Sequence, residues 1–371
     1  MCYASGTDGS GVLCLSDNLQ GHSDPYFNAL GFDEITQYTI TGNGSSCSVK
    51  TGSGNTPPAV NAGENYTIPF STPFVLTGSA TDADEDSLTY CWEEVDIEGP
   101  EANEWYLPQG NDPIFRSFLP VTVPYRYFPR LSDVINNDTT IGEIMPSYGR
   151  VMHFRLTVRD NHAECGGVCN AENVITVDGS SGPFQVTYPI DSNIVWTDSS
   201  TQTVTWNTAN TQNSPVNCSN VMILLSTDGG LTYPDTLNAS TPNNGSAQIT
   251  VPQISTTTAR IGVMSVGNVF YSISQHDFII QKAAASNVET WKFLTNPAGN
   301  AITLISDKND GYAQIALFDI TGRLIYTESL SNTVAGQDIT LPLQHLPAAI
   351  YIVKINTNYG QTVKKVLAVA N

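Results

Sequence analysis

Basic residues are scarce in this chain of 371 residues: it has 15 lysines and arginines against 35 aspartates and glutamates, a net charge of −20 at pH 7. Because phosphate groups are bound by clustered lysine and arginine, this composition argues against nucleic acid and against an anionic membrane surface as partners. No apolar run reaches the roughly 18 residues that a transmembrane segment needs. The acidity is typical of an extracellular protein that stays soluble or binds Ca²⁺ through carboxylates.

Closely spaced cysteine pairs are also lacking, apart from a single CxxxC. No second pair stands at the spacing of a zinc ribbon, so we expect disulfides formed in an oxidising compartment, with one thiol left over. The first 25 residues have neither the basic nor the apolar region of a signal peptide, which predicts that Met1 is not the natural start. The seven cysteines are Cys2, Cys14, Cys47, Cys91, Cys165, Cys169 and Cys218.

Helical periodicity is rare, and strand-like alternation dominates from residue 58 onward. Short alternating segments such as 74–77 and 153–158 are separated by turn residues, which predicts an all-β fold of tandem immunoglobulin-like or PKD-like sandwiches. One short helix is expected over 24–38, where Ser23-Asp24-Pro25 resembles an N-cap followed by a first-turn proline. The stretch 99–150 is rich in proline and aromatic residues without a clear period, and it predicts an inserted functional loop or lid.

Linker-like composition at three places divides the chain. Gly, Ser, Thr and Asn dominate 41–57, Gly179-Ser180-Ser181-Gly182-Pro183 follows the first sandwich, and small residues fill 283–287. We therefore expect four regions: an N-terminal remnant over 1–50, a PKD- or cadherin-like sandwich over 58–178 with the insertion 99–150, an Ig-like sandwich over 183–282, and a small C-terminal β-sandwich over 288–371.

Four motifs follow one another in the C-terminal region. They are Asn296-Pro297, Ile315-Ala316-Leu317-Phe318-Asp319 with Gly322-Arg323, Leu346-Pro347 before Ile350-Tyr351-Ile352-Val353-Lys354-Ile355, and Lys364-Lys365-Val366-Leu367. In this order and spacing they resemble the C-terminal sorting domain of the type IX secretion system of Bacteroidota. The sequence departs from the pattern at Leu294-Thr295, where relatives show Tyr-Pro, and at Ala349, where Gly is usual.

This resemblance implies export and surface anchoring. The partner would be the type IX secretion machinery, and the protein would be secreted or held at the outer cell surface. The residues to which the resemblance assigns the sorting function are Asn296, Pro297, Gly322, Tyr351, Lys364 and Lys365.

A second resemblance covers most of residues 1–280. It is carried by Asn18-Leu19-Gln20 with Ser23-Asp24-Pro25-Tyr26-Phe27, by Thr81-Asp82-Ala83-Asp84 through Trp92-Glu93-Glu94, by Thr157-Val158-Arg159-Asp160-Asn161, and by Ile223-Leu224-Leu225-Ser226-Thr227-Asp228-Gly229-Gly230. These segments resemble the C-terminal half of secreted reprolysin-like zinc metallopeptidases of the same bacteria. The resemblance implies that Met1 is the methionine of a Met-turn and that residues 1–50 end a catalytic domain.

The zinc-binding helix of such enzymes is missing from this chain. It contains no HExxH, and its five histidines are far apart: His22, His153, His162, His276 and His345. We therefore expect this chain alone to be catalytically inactive and to bind no zinc, while its full-length parent is a zinc metallopeptidase. The sandwiches would bind an extracellular protein or glycan. The competing hypothesis is a stand-alone surface adhesin built from the same modules.

Acidic residues cluster around the start of the predicted strand 88–92. The run Asp82, Asp84, Glu85 and Asp86, followed by Glu93, Glu94 and Asp96, resembles the turn and strand that begin PKD- and cadherin-like domains. Three interpretations stay open: a Ca²⁺ site, a carboxylate pair for glycoside hydrolysis, and a solvated acidic turn. The candidate calcium ligands are Asp82, Asp84, Asp86 and Asp160.

Two further features are interpreted structurally. Residues 226–233 form an SxDxGxx-aromatic pattern, an Asp-box, in which Asp228 is expected to turn back onto backbone N–H groups. Trp92 and Trp206 lie within alternating strands, which favours core positions over sugar-binding platforms.

Overall fold

The computed structural model describes residues 2–3, 13–14, 27–46, 51–97, 107–163, 165–283, 291–294, 298–343, 346–358 and 360–369. Strands account for most of the regular structure. The chain divides into two compact units, Met1–Lys282 and Ala283–Asn371. The predicted all-β fold with immunoglobulin-like sandwiches is confirmed. Among the described residues, no helix combines the length and the apolar composition that crossing a membrane requires.

The N-terminal segment contributes two short strands and one helix. Strands β1 (Cys2–Tyr3) and β2 (Leu13–Cys14) pair antiparallel, with Cys2 opposite Cys14. Helix α1 (Ala29–Thr36) starts after Asn28, whose Oδ1 accepts a hydrogen bond from Gly31 N at 2.8 Å, and it continues as a π-helical turn, Gln37–Thr41. The helix therefore begins at Ala29, later than the predicted start at residue 24, and Asn28 is its N-cap. The predicted cap at residues 23–25 lies outside the described residues.

Eight strands build the first sandwich. A sheet in the order β4-β10-β9-β7 is antiparallel except for the parallel pair β4-β10, and it is accompanied by the antiparallel pairs β3-β6 and β5-β8. The strands are β3 (Ala59–Asn61), β4 (Tyr66–Pro69), β5 (Phe74–Thr77), β6 (Ser79–Thr81), β7 (Thr89–Glu94), β8 (Tyr125–Phe128), β9 (Arg150–Arg159) and β10 (Val168–Asp178).

The stretch predicted as an aperiodic insertion forms part of this sandwich over its described residues, 107–150. It supplies β8 and a second short helix, α2 (Leu131–Asn136), which the sequence did not predict. Phe128 on β8 stacks on Phe74 of β5, with ring centroids 5.1 Å apart. Because β8 is four residues long and pairs with a strand some fifty residues earlier, local periodicity carried no sign of it.

Buried carboxylates fasten this stretch to the sheet. Glu94 Oε2 accepts the backbone N–H groups of Ile114 and Phe115, each at 2.7 Å. Glu143 pairs with Arg126 at 2.7 Å and also accepts the backbone N–H of Arg130 at 2.7 Å. Since buried carboxylates are costly unless they are hydrogen-bonded, these contacts fix the path of residues 114–143.

Nine strands build the second sandwich. One sheet runs β11-β13-β16, and the other runs β12-β19-β17-β14-β15 with β18 paired to β17. The strands are β11 (Gln185–Tyr188), β12 (Val195–Thr197), β13 (Thr201–Asn207), β14 (Asn220–Ser226), β15 (Asp235–Pro242), β16 (Ser246–Thr250), β17 (Thr256–Ser265), β18 (Tyr271–Ile273) and β19 (Phe278–Gln281). Trp206 and, in the first sandwich, Trp92 are both buried, as predicted.

One continuous hydrophobic core runs through both sandwiches. Val75 N donates to Val269 O at 2.9 Å, and Phe70 N donates to Ser181 O at 2.8 Å. The glycine-rich stretch around Gly182 is packed between them: Gly182 has φ +132°, and a Cβ there would collide with the Phe70 carbonyl oxygen. Composition predicted a boundary between two domains at this place, whereas the backbone there packs against the first sandwich.

The C-terminal unit is a small sandwich with its own core. A three-stranded sheet, β20-β21-β24, faces a four-stranded sheet, β23-β22-β25-β26, across fifteen buried residues. The strands are β20 (Trp291–Phe293), β21 (Ala301–Ser306), β22 (Asp310–Asp319), β23 (Leu324–Thr333), β24 (Asp338–Pro342), β25 (Ala349–Thr357) and β26 (Gly360–Ala368).

Four of the cysteines, Cys91, Cys165, Cys169 and Cys218, are free thiols. Cys91 and Cys218 are buried, and Cys165 and Cys169 are half-buried. Burial raises the pKa of Cys91 far above its usual range, and its Sγ donates to Phe118 O at 3.2 Å. The predicted disulfides therefore do not involve these four cysteines in this structure; Cys47 lies outside the described residues.

Candidate functional site

The acidic turn between β6 and β7 brings three carboxylates together. Asp82 Oδ1 accepts the backbone N–H groups of Asp84 at 2.9 Å and Asp86 at 3.1 Å, so a single side chain closes the turn. One carboxylate oxygen from each of the three aspartates lies within 4.8 Å of the others. Glu85 stands between them with φ +61°, and it is not part of this cluster.

Asp160, the fourth predicted ligand, has a different role. It is fully buried, and its oxygens accept hydrogen bonds from Asn55 Nδ2 at 2.7 Å, Gly167 N at 2.7 Å and His162 N at 3.1 Å. Burial alone would raise the pKa of Asp160, but these hydrogen bonds outweigh burial and lower it. Asp160 thus supports the loop beside the cluster, and the prediction that it joins Asp82, Asp84 and Asp86 as a ligand is not met by this geometry.

Two residues that the sequence did not single out support the cluster. Thr56 N donates to Asp84 Oδ2 at 2.6 Å, and His162 Nδ1 lies 2.8 Å from Asp86 Oδ2. The hydrogen bond to Asp86 raises the pKa of His162. In the sequence, this histidine is marked only by the tripeptide Asp160-Asn161-His162 that follows strand β9. The tripeptide comes close to the acidic turn because β9 pairs with β7.

Each aspartate of the cluster keeps one oxygen for another ligand. Asp82 Oδ1, Asp84 Oδ2 and Asp86 Oδ2 take the contacts described above. Asp82 Oδ2 is buried and accepts no hydrogen bond from any described residue. Hard oxygen ligands that converge from one loop are the donor set that Ca²⁺ takes in proteins, so the residues present fit a calcium ion.

The remaining acidic residues of this region do not form a catalytic pair. Glu93 accepts hydrogen bonds from Ser117 Oγ at 2.6 Å and Ala29 N at 3.3 Å, while Asp96 holds His153 Nδ1 at 2.7 Å. Burial raises the pKa of Glu94 to about 7. Glu93 and Glu94 are both buried, and their hydrogen bonds hold neighbouring segments of the chain in place. The glycoside-hydrolysis interpretation therefore has no geometric support.

The Asp-box of the second sandwich has the expected geometry. Asp228 accepts the backbone N–H of Thr232 at 3.0 Å and its hydroxyl at 2.7 Å, and Ser226 Oγ donates to Asp228 at 2.7 Å. The hydrogen bond from Ser226, with those from Thr232, lowers the pKa of Asp228 to about 2. The motif closes the turn after β14, as predicted.

A cleft with a mixed polar and apolar lining opens where α2 approaches the second sandwich, and Val134, Met145 and Phe184 are among its apolar residues. Its volume is about 390 Å³, within the range of small-molecule sites. Carboxylate, amide and hydroxyl groups line it, and these can donate to and accept from a hydroxyl-rich ligand. The polar lining includes Asp133, Asn137, Asp138, Thr139, Gln185 and Gln275.

In the C-terminal unit, the residues predicted to carry the sorting function lie in three different settings: a turn, the core and the surface. Gly322 has φ +87° in the turn between β22 and β23, where Asp319 accepts the N–H of Thr321 at 2.9 Å. Tyr351 is buried, and its hydroxyl donates to Pro347 O at 3.0 Å. Lys364 Nζ lies 5.5 Å from the centre of the Phe293 ring.

Lys364 and Lys365 are neighbours on β26, so their side chains point to opposite faces of the sheet. Lys365 is exposed. The predicted residues Asn296 and Pro297, as well as Met1, lie outside the described residues.

Comparison with protein families identifies the C-terminal unit. Residues 295–369 match the family described as "Secretion system C-terminal sorting domain". This domain directs export through the type IX secretion machinery, so the protein is secreted or held at the outer cell surface. A search of curated proteins finds no match.

Several solved structures show similarity to parts of this chain. A DUF3244 family protein with an immunoglobulin-like β-sandwich fold from Bacteroides vulgatus is 18% identical, with a TM-score of 0.18, and the match covers 21% of this chain and 89% of that one. The FN1–FN3 domains of chicken CNTN1 are 12% identical, with a TM-score of 0.17, over 84% of this chain and 99% of that one. The BSP domain of a biofilm associated protein is 10% identical, with a TM-score of 0.19, over 93% and 71%.

Proposed function

We propose that this chain is the non-catalytic C-terminal portion of a secreted zinc metallopeptidase. In this proposal the two fused sandwiches bind substrate or cell-surface material, and the C-terminal unit supplies export and surface anchoring. The observation that carries the proposal is the way in which α1, the segment that resembles the end of a protease domain, is attached to the first sandwich.

Ion pairs and hydrogen bonds hold α1 against the sheet. Arg155 on β9 pairs with Asp33 at 2.7 Å and donates to Ala29 O at 3.3 Å. Ala29 N donates to the buried Glu93, which fixes the first turn of the helix. A module that precedes α1 would therefore be held at a fixed orientation to the sandwich, as an accessory domain beside a catalytic domain requires.

The outward side of the same segment supports an adjoining module. Phe27, Ile35, Tyr38 and Ile40 are each at least 40% exposed. Four large apolar side chains on some fourteen residues are more than the scattered exposure typical of a protein surface. A preceding domain that covers them would explain their presence.

The genomic sequence upstream of Met1 tests the proposal directly. An in-frame HExxHxxGxxH supports it, and a stop codon followed by a genuine signal peptide supports a stand-alone adhesin instead. At the bench, the longer protein should bind one zinc and cleave casein, whereas residues 1–371 alone should do neither. Chelator-sensitive cleavage by the 371-residue chain would contradict the proposal.

We propose further that Asp82, Asp84 and Asp86 hold a Ca²⁺ ion. This is supported by the oxygen atoms: in each of the three carboxylates, one oxygen accepts no hydrogen bond from the described residues and is available to an ion. Bound there, the ion would join the turn to residues 55–56 and to the loop at His162, which contact Asp84 and Asp86. Isothermal titration with Ca²⁺ should give one site, and Mg²⁺ should bind more weakly because it dehydrates reluctantly.

For the ligand we propose a hydroxyl-rich molecule, such as a glycan, in the cleft beside α2. The lining supports this because amides and carboxylates together bind sugar hydroxyls as both donors and acceptors. A glycan array probed with the whole chain and with Gln275→Ala provides the test. If the whole chain and the Gln275→Ala variant bind the same glycans equally weakly, the cleft is not the ligand site.

A further inference from the structure

The outer face of the four-stranded sheet in the C-terminal unit does not have the usual polar character. An antiparallel sheet with one solvated face normally alternates apolar residues inward with polar residues outward. The three-stranded sheet of the same unit follows this rule more closely, since its outer face carries Lys292, Thr303, Asp338 and Thr340 around one large aliphatic side chain, Ile305. The four-stranded sheet departs from it.

Large apolar side chains cover that outer face. The register places Ile350 opposite Leu367, Lys354 opposite Val363, and Phe318 between Ile352 and Leu324. We name Phe318, Leu324, Ile350, Ile352, Val363 and Leu367 the outer patch. Leu324, Ile350, Val363 and Leu367 are each between 44% and 53% exposed, while the other two are half-buried.

The central strand β25 explains why the patch is informative. Its sequence from Ile350 to Ile355 is apolar at every position except Lys354. Near-continuous apolar runs are typical of strands that are covered on both faces. Here the inner face is covered by the core of the unit, through Tyr351, Val353 and Ile355. The sequence of β25 therefore corresponds to a strand with a second covering layer that this chain's own sandwich does not provide.

The charges on this face have one sign. Lys354 and Lys365 project from it next to the apolar side chains, and neither forms an ion pair with a described residue. Among the described residues, no outward-facing position of β22, β23, β25 or β26 is acidic. The wider unit, residues 283–371, has six basic and six acidic residues, so the whole net charge of −20 belongs to residues 1–282. A partner for the outer patch should therefore offer an apolar strip flanked by carboxylates.

We propose that the outer patch is the surface through which a protein of the secretion machinery recognises this chain. The inference rests on the sorting function of the C-terminal unit and adds the surface and the chemistry of the partner. Exposed apolar patches rimmed by charge mark protein interaction sites, and apolar side chains near the centre of such surfaces carry most of the binding energy.

The test uses the full 371-residue chain behind a signal peptide in a host with an active type IX system. The patch variant is Ile350→Gln with Leu367→Gln. The matched control is Val334→Gln, a similarly exposed residue of the same unit in the turn that follows β23, outside the outer patch. If each of the two substituted residues contributes about 1 kcal/mol of binding, the ratio of surface to periplasmic protein should fall about thirtyfold for the patch variant. It should not change for the control.

Two further measurements separate recognition from folding and from charge. Because the substituted side chains are exposed, each substitution should cost under about 0.5 kcal/mol. For a unit of this size that corresponds to a fall of at most about 2–4 °C in the melting temperature of the purified variant for each substitution. Lys354→Glu with Lys365→Glu should lower export more than Lys354→Gln with Lys365→Gln. Equal effects of the two pairs would contradict an acidic partner.

The outcomes distinguish this proposal from the function on which it rests. If the unsubstituted chain stays in the periplasm, the sorting assignment fails and the patch proposal fails with it. If the unsubstituted chain reaches the surface and the patch variant does so equally well, sorting stands and the patch proposal is overturned. A patch variant that exports normally but loses a dimer seen by sedimentation would show that a second copy covers the patch. An export defect that vanishes when residues 1–282 are replaced by a reporter would show that this chain's own acidic unit covers it.

Discussion

Calcium binding at Asp82, Asp84 and Asp86 should be visible as thermal stabilisation of residues 1–282. A ligand that binds only the folded state adds about 2.7 kcal/mol when its concentration is a hundred times its dissociation constant. For a unit of this size each kcal/mol corresponds to roughly 2–4 °C, so the melting temperature should rise by about 5–11 °C. The C-terminal unit, which has a separate core, should melt at the same temperature with and without Ca²⁺.

Differential scanning calorimetry with millimolar Ca²⁺ or with chelator measures this effect. Asp84→Asn and Asp86→Asn each remove one negative charge and replace one carboxylate oxygen of the cluster by an NH2 group of similar size, and both should abolish most of the shift. The matched control is Glu85→Gln, which removes the same charge from the same turn outside the cluster. The control should keep most of the calcium-induced rise.

Two results would refute the reasoning. A melting temperature that is indifferent to Ca²⁺ would leave the turn as a solvated acidic surface held together by Asp82. A rise that Glu85→Gln reduces as strongly as Asp84→Asn would show diffuse attraction by negative charge, which salt screens, rather than coordination.

Acid, turn geometry, truncation and catalysis provide the remaining predictions. The pKa of Glu94 is about 7 in the folded chain against an ordinary 4.5, so between these pH values the folded chain binds more protons than the unfolded chain. Residues 1–282 should therefore lose stability as the pH rises from 4.5 to 7. Glu94→Gln should remove about 3 kcal/mol of that dependence, measured by urea unfolding; an unchanged slope would contradict it. Gly322→Ala should destabilise only the C-terminal unit, by about 1–2 kcal/mol, because Gly322 has a left-handed backbone conformation. If calorimetry shows that the unfolding transition of residues 1–282 shifts instead, the prediction is wrong. Deleting 283–371 should leave residues 1–282 with their own cooperative transition and stall them in the periplasm, as fractionation would show. Dialysed chain should contain no stoichiometric zinc by mass spectrometry.

The strands were predictable where alternation and burial coincide. The segments 74–77, 153–158 and 350–355 all lie within observed strands, because each packs one set of side chains into a core. The Asp-box was predictable too, since its hydrogen bonds lie within seven residues of sequence. The sorting unit was recognisable because its motifs mark turns and core strands in a fixed order.

Interactions between distant residues were not predictable from one sequence. Strand β8 exists through pairing with β5 and through the carboxylates of Glu94 and Glu143, none of which leaves a local period. The acidic turn was located correctly, but the roles within it were not. Asp160 differs from Asp82 in its burial and in the groups that donate to it, Asn55 Nδ2 and Gly167 N among them. These contacts depend on how the loop at residue 167 folds back.

The continuous core of the two sandwiches determines where this protein can be cut. Separating them at residues 179–183 would strip Phe70 and Ser181 of their mutual hydrogen bond and leave Phe184 and Phe270, whose rings lie 5.1 Å apart, exposed to water. A fragment that ends there would be prone to aggregate, however well it alternates in sequence. The smallest portable piece for fusion, crystallisation or transfer to another host is therefore the fused pair, and a truncation belongs near residue 282, where one compact unit ends.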